Sequence, residues 1–239
     1  MRHFICLLLL ASLSMITSCA TNLDAKVAGI RAKKLPTLEQ ELAAQNLQFG
    51  APMFVRVFKE EGTLEVWLQK PGAAQYGLFK SYKICAMSGG LGPKTASGDL
   101  QAPEGFYDIT RDRLWPGSKY HLAANIGYPN AYDKANARTG HALMIHGECK
   151  SEGCFAMTSP VMEEIYIMAD QALRNGQPAV PVHIFPFRMT DEMLAMHPGY
   201  DLTEFWASLQ QGYDVFEKTR IPPAVSVNAK QYVFATPAI

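Results

Sequence analysis

The sequence predicts a mainly β domain with some α-helix, an α+β fold. Apolar residues alternate with a period of two through the middle of the chain, a helical pattern follows the last cysteine, and a second helical pattern occupies residues 188–239. A period of two places successive side chains on opposite faces of a strand, whereas a helix repeats about every 3.6 residues. We therefore expect a β-sandwich or barrel core, one helix after the cysteine loop and a helical C-terminal extension.

The composition fits one domain with short extensions. The chain has 239 residues, and 48% of them are apolar, which is enough for a sizeable core. It carries 22 basic and 22 acidic residues. This neutral balance argues against nucleic acid as the main partner, because proteins that bind nucleic acid usually carry a basic excess.

Residues 1–18 have the pattern of a bacterial lipoprotein signal. A short basic start precedes the mostly apolar run Phe4–Ile16, which is shorter than the roughly 20 residues that a bilayer-spanning helix needs. The run ends in Thr17, Ser18 and Cys19, which resembles a lipobox, so we expect cleavage before Cys19 and acylation of its thiol. The alternative is an ordinary signal peptide cleaved nearby, for instance after Ala20.

A lipidated Cys19 would place the chain on the periplasmic face of the bacterial envelope, with the lipid as its membrane contact. Ala20 follows the cysteine, and by resemblance to proteobacterial sorting this residue predicts the outer membrane, because Asp at that position retains a lipoprotein in the inner membrane. The compartment is oxidising. Three cysteines remain there, Cys85, Cys149 and Cys154, so at least one stays unpaired within a monomer.

The elements of the main domain follow in order. Residues 19–50 predict a polar tether and then a short helix, which begins at the capping box Thr37–Gln40 and runs to about Leu47. Residues 51–187 predict the main domain, which opens with a hairpin of Phe54–Phe58 and Thr63–Leu68. Its other predicted strands are Phe79–Met87, Phe106–Thr110, Tyr120–Ala124, Gly140–Gly147 and Val180–Phe187.

Helices and one long loop complete the pattern. Ser159 and Pro160 predict the start of a helix that runs to about Leu173. The Gly-, Pro- and Ser-rich segment Ser88–Glu104 predicts a long loop, and such loops are often functional. In the C-terminal extension a helix should begin near Asp201 and dock on the main domain through one apolar face. That face comprises Leu202, Phe205, Trp206, Leu209, Tyr213 and Phe216.

The segment from His146 to Cys154 combines the residues that thiol chemistry needs. A thiol needs a base to become the reactive thiolate, and histidine is the usual base. We expect a strand to deliver His146 and a tight loop to return Cys154 eight residues later. Gly153 lets the backbone approach a substrate, and amides at such a turn can face a developing oxyanion. A nearby imidazole and turn amides also predict a lowered pKa for Cys154.

Two other interpretations stay open at this point. Cys154 could be a buried, inert thiol or half of a disulfide with Cys149 or Cys85. His141, His146, Cys149 and Cys154 could instead hold zinc, since their spacings are roughly those of a structural site. Odd spacing in a regular strand sends His141 and His146 to opposite faces, which argues against zinc and gives His141 a structural role. We expect no metal and no cofactor.

These motifs resemble the L,D-transpeptidase (YkuD-like) catalytic domain over about Phe54 to Phe187. The resemblance is closest to the YafK-like subgroup, which shares a short His-to-Cys interval and a C-terminal extension. It makes residues 51–187 the catalytic domain. The matching motifs are Ser151-Glu152-Gly153-Cys154, His146-Gly147, Lys94, Gly98-Asp99, Pro103-Glu104-Gly105-Phe106-Tyr107, Tyr128-Pro129-Asn130 and Asp133, and Gly153-Cys154-Phe155-Ala156-Met157-Thr158.

The resemblance implies a reaction on peptidoglycan stem peptides. Cys154 would attack the carbonyl between an L- and a D-centre, and His146 would take the thiol proton and return one to the leaving amine. Amides around Gly153 and Cys154 would stabilise the oxyanion, Ser151 would shape the loop, and the Gly147 carbonyl would orient His146. An amine or water would then resolve the thioacyl-enzyme.

The chain departs from the family pattern at Ala156, where most members carry Arg or Asn. Lys94, Tyr128 and Arg138 are candidate substrate-binding residues, and Lys94 or Arg138 could replace the missing side chain. Because an amine acceptor must be positioned to compete with water, the short interval and Ala156 favour hydrolysis.

The subgroup also includes an enzyme that detaches a lipoprotein from peptidoglycan. We therefore expect cleavage of peptidoglycan–protein links, with a peptidoglycan-linked lipoprotein as the partner. Two alternatives remain: a true transpeptidase that forms crosslinks or attaches proteins, and a non-catalytic lipoprotein that binds peptidoglycan.

Overall fold

The computed structural model describes residues 2–198 and 202–235, with side chains for residues 22–198, 202 and 204–235. Within these residues the α+β class is confirmed by five α-helices and eleven strands. The helices are α1 Arg2–Ala43, α2 Ala131–Ala135, α3 Ser159–Arg174, α4 Asp191–Met196 and α5 Thr203–Thr219. The strands are β1 Met53–Phe58, β2 Thr63–Gln69, β3 Tyr76–Lys83, β4 Gly105–Ile109, β5 Leu114–Trp115, β6 Ala123–Asn125, β7 Met144–His146, β8 Phe155–Ala156, β9 Val180–Phe185, β10 Ala224–Asn228 and β11 Gln231–Ala235.

A five-stranded sheet, in the order β3-β2-β1-β9-β4, forms the centre of the molecule. The predicted β1–β2 hairpin is confirmed, and β9 pairs with β1 in parallel. All six residues of β1 are buried because both faces of this sheet are covered. One face packs in the main core with α3, and the other meets aromatic residues of the C-terminal extension.

A second sheet, in the order β5-β6-β7-β8, carries the cysteine loop. Its strands are short, and β7 and β8 run parallel. Strands β6 and β7 begin at Ala123 and Met144, three and four residues later than the sequence pattern predicts. The reason lies in the backbone, since His121 (φ 70°) and Ala142 (φ 56°) adopt left-handed conformations that a strand cannot contain.

The C-terminal extension docks on the first sheet, as its apolar face predicts. Phe216 of α5 packs against Phe54 at 4.8 Å and against Trp67 at 5.0 Å between ring centroids. The extension is not only helical, however. It also contains the antiparallel hairpin β10–β11, which the sequence pattern did not indicate. The predicted boundary between residues 187 and 188 stays a prediction.

The N-terminal segment differs from the predicted tether and short helix. Helix α1 runs without a break through Thr37, with Pro36 inside it, so no new helix begins at the capping box. Arg31 donates to Asp170 of α3 at 2.5 Å, and Leu38 and Leu42 are each 1% exposed in the main core. Tertiary packing therefore overrides the local start signal.

The predicted signal peptide and the side chain of Cys19 lie outside the described side chains. Among the helices that the structure describes, none is long and apolar enough to cross a membrane.

Candidate active site

His146 ends β7 and is held in one orientation. Its ring is 2% exposed and stacks on Tyr120 with ring centroids 4.6 Å apart. Nδ1 lies 2.7 Å from the Gly147 carbonyl oxygen, which can only accept, so Nδ1 carries the proton. This leaves Nε2 as the basic nitrogen. The contact supports the orienting role predicted for the Gly147 carbonyl.

Cys154 comes immediately before β8, the strand that pairs with β7 in parallel. The register pairs His146 with Ala156. Cys154 therefore lies two residues before the residue opposite His146, at the entrance of β8. Cys154 is a free thiol, and its Sγ lies 3.9 Å from the Ala142 carbonyl oxygen. The structure thus brings together the two residues that the sequence paired.

Both reactive groups are neutral at rest, because burial disfavours their charged forms. Burial raises the pKa of the Cys154 thiol, and the Met144 amide and the charge of Lys94 offset this only in part. Burial likewise lowers the pKa of His146, against the opposing effects of the Gly147 carbonyl and Glu148. The expectation of a lowered pKa for Cys154 was therefore wrong, because desolvation outweighs the local dipoles.

Hydrogen bonds fix the cysteine loop on both sides of the thiol. Ser151 Oγ donates to the Cys154 carbonyl oxygen at 2.6 Å, consistent with its predicted role in shaping the loop. Gly153 has a φ of 102°, a conformation that favours glycine, and its amide donates to Ser88 Oγ at 2.6 Å. In this conformation the Gly153 amide is therefore engaged by Ser88, and the oxyanion role predicted for the amides around Gly153 and Cys154 stays a prediction.

Sequence reasoning missed Ser88 as a site residue. Its hydroxyl accepts from Gly153 and donates to the Leu100 carbonyl oxygen at 2.7 Å, so one side chain joins the cysteine loop to the long loop. The only available signal was its place at the start of the Gly-rich segment Ser88–Glu104.

A disulfide joins Cys85 to Cys149 and leaves Cys154 unpaired. The bond ties the segment between His146 and Cys154 to the end of β3. It excludes the zinc interpretation, since Cys149 is not available as a thiolate ligand, and it excludes a disulfide at Cys154. His141 precedes β7 and is exposed, so the strand argument and the structural role predicted for it do not hold.

Comparisons with known proteins show the family to which this chain belongs. A family model of the L,D-transpeptidase catalytic domain (YkuD) matches residues 55–184, more than half of the chain. The chain belongs to the L,D-transpeptidase family. It is 50% identical over 188 residues to YafK of Escherichia coli (strain K12), which its name describes as a candidate L,D-transpeptidase, and the alignment covers 79% of this chain and 76% of that protein.

Solved structures give more distant similarities. A mutant of the helical cell shape determining protein Pgp2 from Campylobacter jejuni is 26% identical, with a TM-score of 0.45, over 56% of this chain and 46% of that chain. A second Pgp2 structure is 18% identical, with a TM-score of 0.44, over 80% of each chain. Bd1075 of Bdellovibrio bacteriovorus is 15% identical, with a TM-score of 0.40, over 74% of this chain and 78% of that chain.

Lys94 and Tyr128 lie next to the L,D-transpeptidase site but make internal bonds. Lys94 is 4% exposed, pairs with Asp99 and donates to the Ala96 carbonyl oxygen at 2.8 Å. Tyr128 is 5% exposed and donates to the Lys94 carbonyl oxygen at 3.1 Å. Lys94 still acts on the thiol through its charge. Substrate binding by either residue stays a prediction.

Arg138, the other candidate to replace the side chain that is missing at position 156, makes internal contacts. Its guanidinium bonds to Asp133 at 3.0 Å and lies over the Phe205 ring at 4.6 Å, so it joins α2 to the C-terminal extension. Its predicted role in substrate binding stays a prediction. Ala156 itself is fully buried beside His146, so the site has no polar group at that position.

We expect Cys154 to react slowly with iodoacetamide at neutral pH. The thiolate is the reactive form, and because the pKa is raised above the ordinary value of 9.0, the rate should climb about tenfold per pH unit from neutral pH to beyond that value. The measurement is the alkylation rate against pH in oxidised protein that lacks residues 1–18 and carries Cys19→Ser, in which Cys85 and Cys149 are bonded to each other and Cys154 is left as a thiol. The urea-unfolded protein is the control and should titrate at the ordinary value. An inflection below pH 8 in the folded protein would show a thiolate–imidazolium pair instead.

Proposed function

We propose that this chain is a cysteine-nucleophile hydrolase that cleaves amide bonds at peptidoglycan stem peptides, including bonds that join a protein to peptidoglycan. The observation that carries the proposal is the arrangement of His146 and Cys154. The imidazole is fixed by the Gly147 carbonyl, and a free thiol lies two residues before the residue that pairs with His146 on the adjacent strand. A non-catalytic binding protein would not need this arrangement.

The proposed reaction proceeds through a thioester. As Cys154 Sγ attacks the amide carbonyl, its proton passes to Nε2 of His146, so the thiolate forms only during attack. The C–N bond then breaks and the imidazolium gives its proton to the leaving amine. Water attacks the thioester, His146 takes one of its protons and returns it to the sulfur, and the carboxylic acid leaves. Neutral resting groups suit this order of transfers.

The interval between the histidine and the cysteine favours water as the acceptor. The disulfide between Cys85 and Cys149 ties this short segment to the end of β3, and Ala156 contributes no polar group. Arg138 is engaged elsewhere. An amine acceptor needs positioning to outcompete water, and a site with few positioning groups provides little.

The substrate assignment is tested with two substrates in parallel. Purified protein is incubated with protein-linked sacculi, and separately with tetrapeptide muropeptides and an amine donor, and the products are identified by mass spectrometry. We expect released protein or shortened stem peptide without new crosslinks. Efficient formation of crosslinked dimers would replace hydrolysis with transpeptidation. Product-free digests in both arms would favour the non-catalytic alternative.

The proposal includes a lipid anchor at Cys19, on the periplasmic face of the outer membrane. Several acyl chains hold a protein firmly where one would not, so the mature protein should fractionate with membranes. Replacing Cys19 with Ser should release it to the soluble envelope fraction. Wild-type protein that is already soluble there would contradict the anchor.

A further inference from the structure

A loop of residues 111–120, here called the tryptophan loop, exposes a large aromatic side chain. Trp115 is 56% exposed, whereas Trp67 and Trp206, the other tryptophans of the chain, are 9% and 3% exposed. Trp115 lies in β5, the edge strand of the second sheet. The apolar surface of an indole ring has a higher free energy in water than when it is covered by an apolar environment.

The charge of the loop is positive. Arg111, Arg113 and Lys119 lie in it against a single acidic residue, Asp112. Indole rings favour the interface between water and lipid, where the ring is buried and its N–H stays hydrated. Lysine and arginine beside such a ring are attracted to anionic lipid headgroups.

The tryptophan loop is attached to the start of the described part of α1. Lys26 Nζ donates to the carbonyl oxygens of Pro116 and His121 at 2.9 and 2.5 Å. Leu23 packs against Gly117, since its methyl groups lie 3.5 Å from the position that a Cβ atom would take if Gly117 were replaced by alanine. The loop therefore sits where the chain leaves the domain towards Cys19.

The remaining chain is too short to hold the loop away from an anchored lipid. Leu23 is four residues after Cys19. Since an extended residue spans at most about 3.6 Å, the acylated cysteine lies within about 14 Å of Leu23 in any conformation. A lipid on Cys19 thus brings the bilayer surface to the tryptophan loop.

We propose that the tryptophan loop lies in the headgroup layer of the membrane to which Cys19 is anchored and so fixes the orientation of the catalytic domain. Tyr120 ends the loop and stacks on His146 at 4.6 Å. The catalytic histidine accordingly lies on the membrane-proximal side of the domain. This inference rests on the proposed lipid anchor and not on the choice between water and amine.

The test uses the lipidated, full mature protein in vesicles of phosphatidylethanolamine and phosphatidylglycerol, with a fraction of the lipid brominated near the headgroup. Bromine quenches tryptophan emission at short range. We expect a blue shift and a loss of up to roughly a third of the emission, since one of three tryptophans reaches the lipid. The Trp115→Phe variant should show neither change.

A matched control places an indole on another face. Met196 of α4 is 61% exposed, so Trp115→Phe/Met196→Trp protein presents an equally accessible ring on the C-terminal extension, and this ring should not be quenched. Equal quenching of the control ring and Trp115, or none in the wild type, overturns the proposal. A change in Trp115 emission with purified sacculi and not with vesicles also overturns it, in favour of a peptidoglycan contact.

The mass of the N-terminal peptide, measured on the same sample, separates the two possible failures. An unacylated Cys19 would refute the anchor on which the inference rests, whereas an acylated Cys19 without quenching of Trp115 would refute the orientation alone. Neither result depends on the hydrolysis assay.

Discussion

Replacing Cys154 with alanine is expected to lower stem-peptide cleavage by at least about a thousandfold, to the rate without enzyme. The thiol forms the covalent bond in the proposed mechanism, and the other two cysteines of the domain cannot replace it because they are bonded to each other. Serine should fail almost as completely, since a hydroxyl is far less acidic than a thiol that burial already keeps protonated. The measurement is product release from sacculi, followed by chromatography and mass spectrometry.

Two measurements distinguish loss of the nucleophile from loss of the fold in these variants. Cys154 is half-buried at the edge of the core, so the variants should retain the far-ultraviolet circular dichroism and cooperative unfolding of the wild type. Wild-type protein, quenched during turnover, should carry an acyl mass on the peptide that contains Cys154. Activity of the alanine variant above about a tenth of wild type would remove Cys154 from the role of nucleophile.

Replacing His146 with glutamine should lower kcat/KM by roughly a hundred- to ten-thousandfold, the range that general base catalysis supplies. In the wild type the imidazole must be neutral to accept the thiol proton. Burial lowers the pKa of His146 below the ordinary value of 6.5. Activity should therefore persist at pH 6.5 and be lost only at the lower pH where the imidazole becomes protonated. The glutamine variant should lack this acid limb.

His141 provides the matched control for this experiment. It lies five residues before His146 and is exposed, so His141→Gln should keep both the rate and the acid limb. The measurement is the pH profile of kcat/KM for the three proteins. An acid limb that disappears in the His141 variant and survives in the His146 variant would exchange their roles.

The candidate reactive residues could be named from the sequence because they are close together in it. His146 and Cys154 are eight residues apart, and a short strand followed by a glycine-containing turn has few ways to place them. The local pattern was sufficient for the β1–β2 hairpin and for the face of α5 that docks on the sheet, since both depend on the periodicity of neighbouring residues. Ser151 and Gly147 followed from the same short segment.

Contacts between distant segments were decided only by the tertiary structure. Ser88 contacts Gly153 across 65 residues, and the Arg138 guanidinium lies over the Phe205 ring of the extension. Sequence spacing carries no record of such pairings, because they arise where the long loop and α5 fold back on the sheets.

The protonation states of Cys154 and His146 were likewise decided only by the tertiary structure. The sequence by itself indicated which thiol and which imidazole to pair, since the two residues are eight apart in one short segment. Whether the thiol is ionised at rest depends on how much water the folded chain excludes, and Cys154 is half-buried where the cysteine loop packs on the core. Desolvation sums over every segment packed around a group, so only the complete fold fixes the direction of the pKa shift.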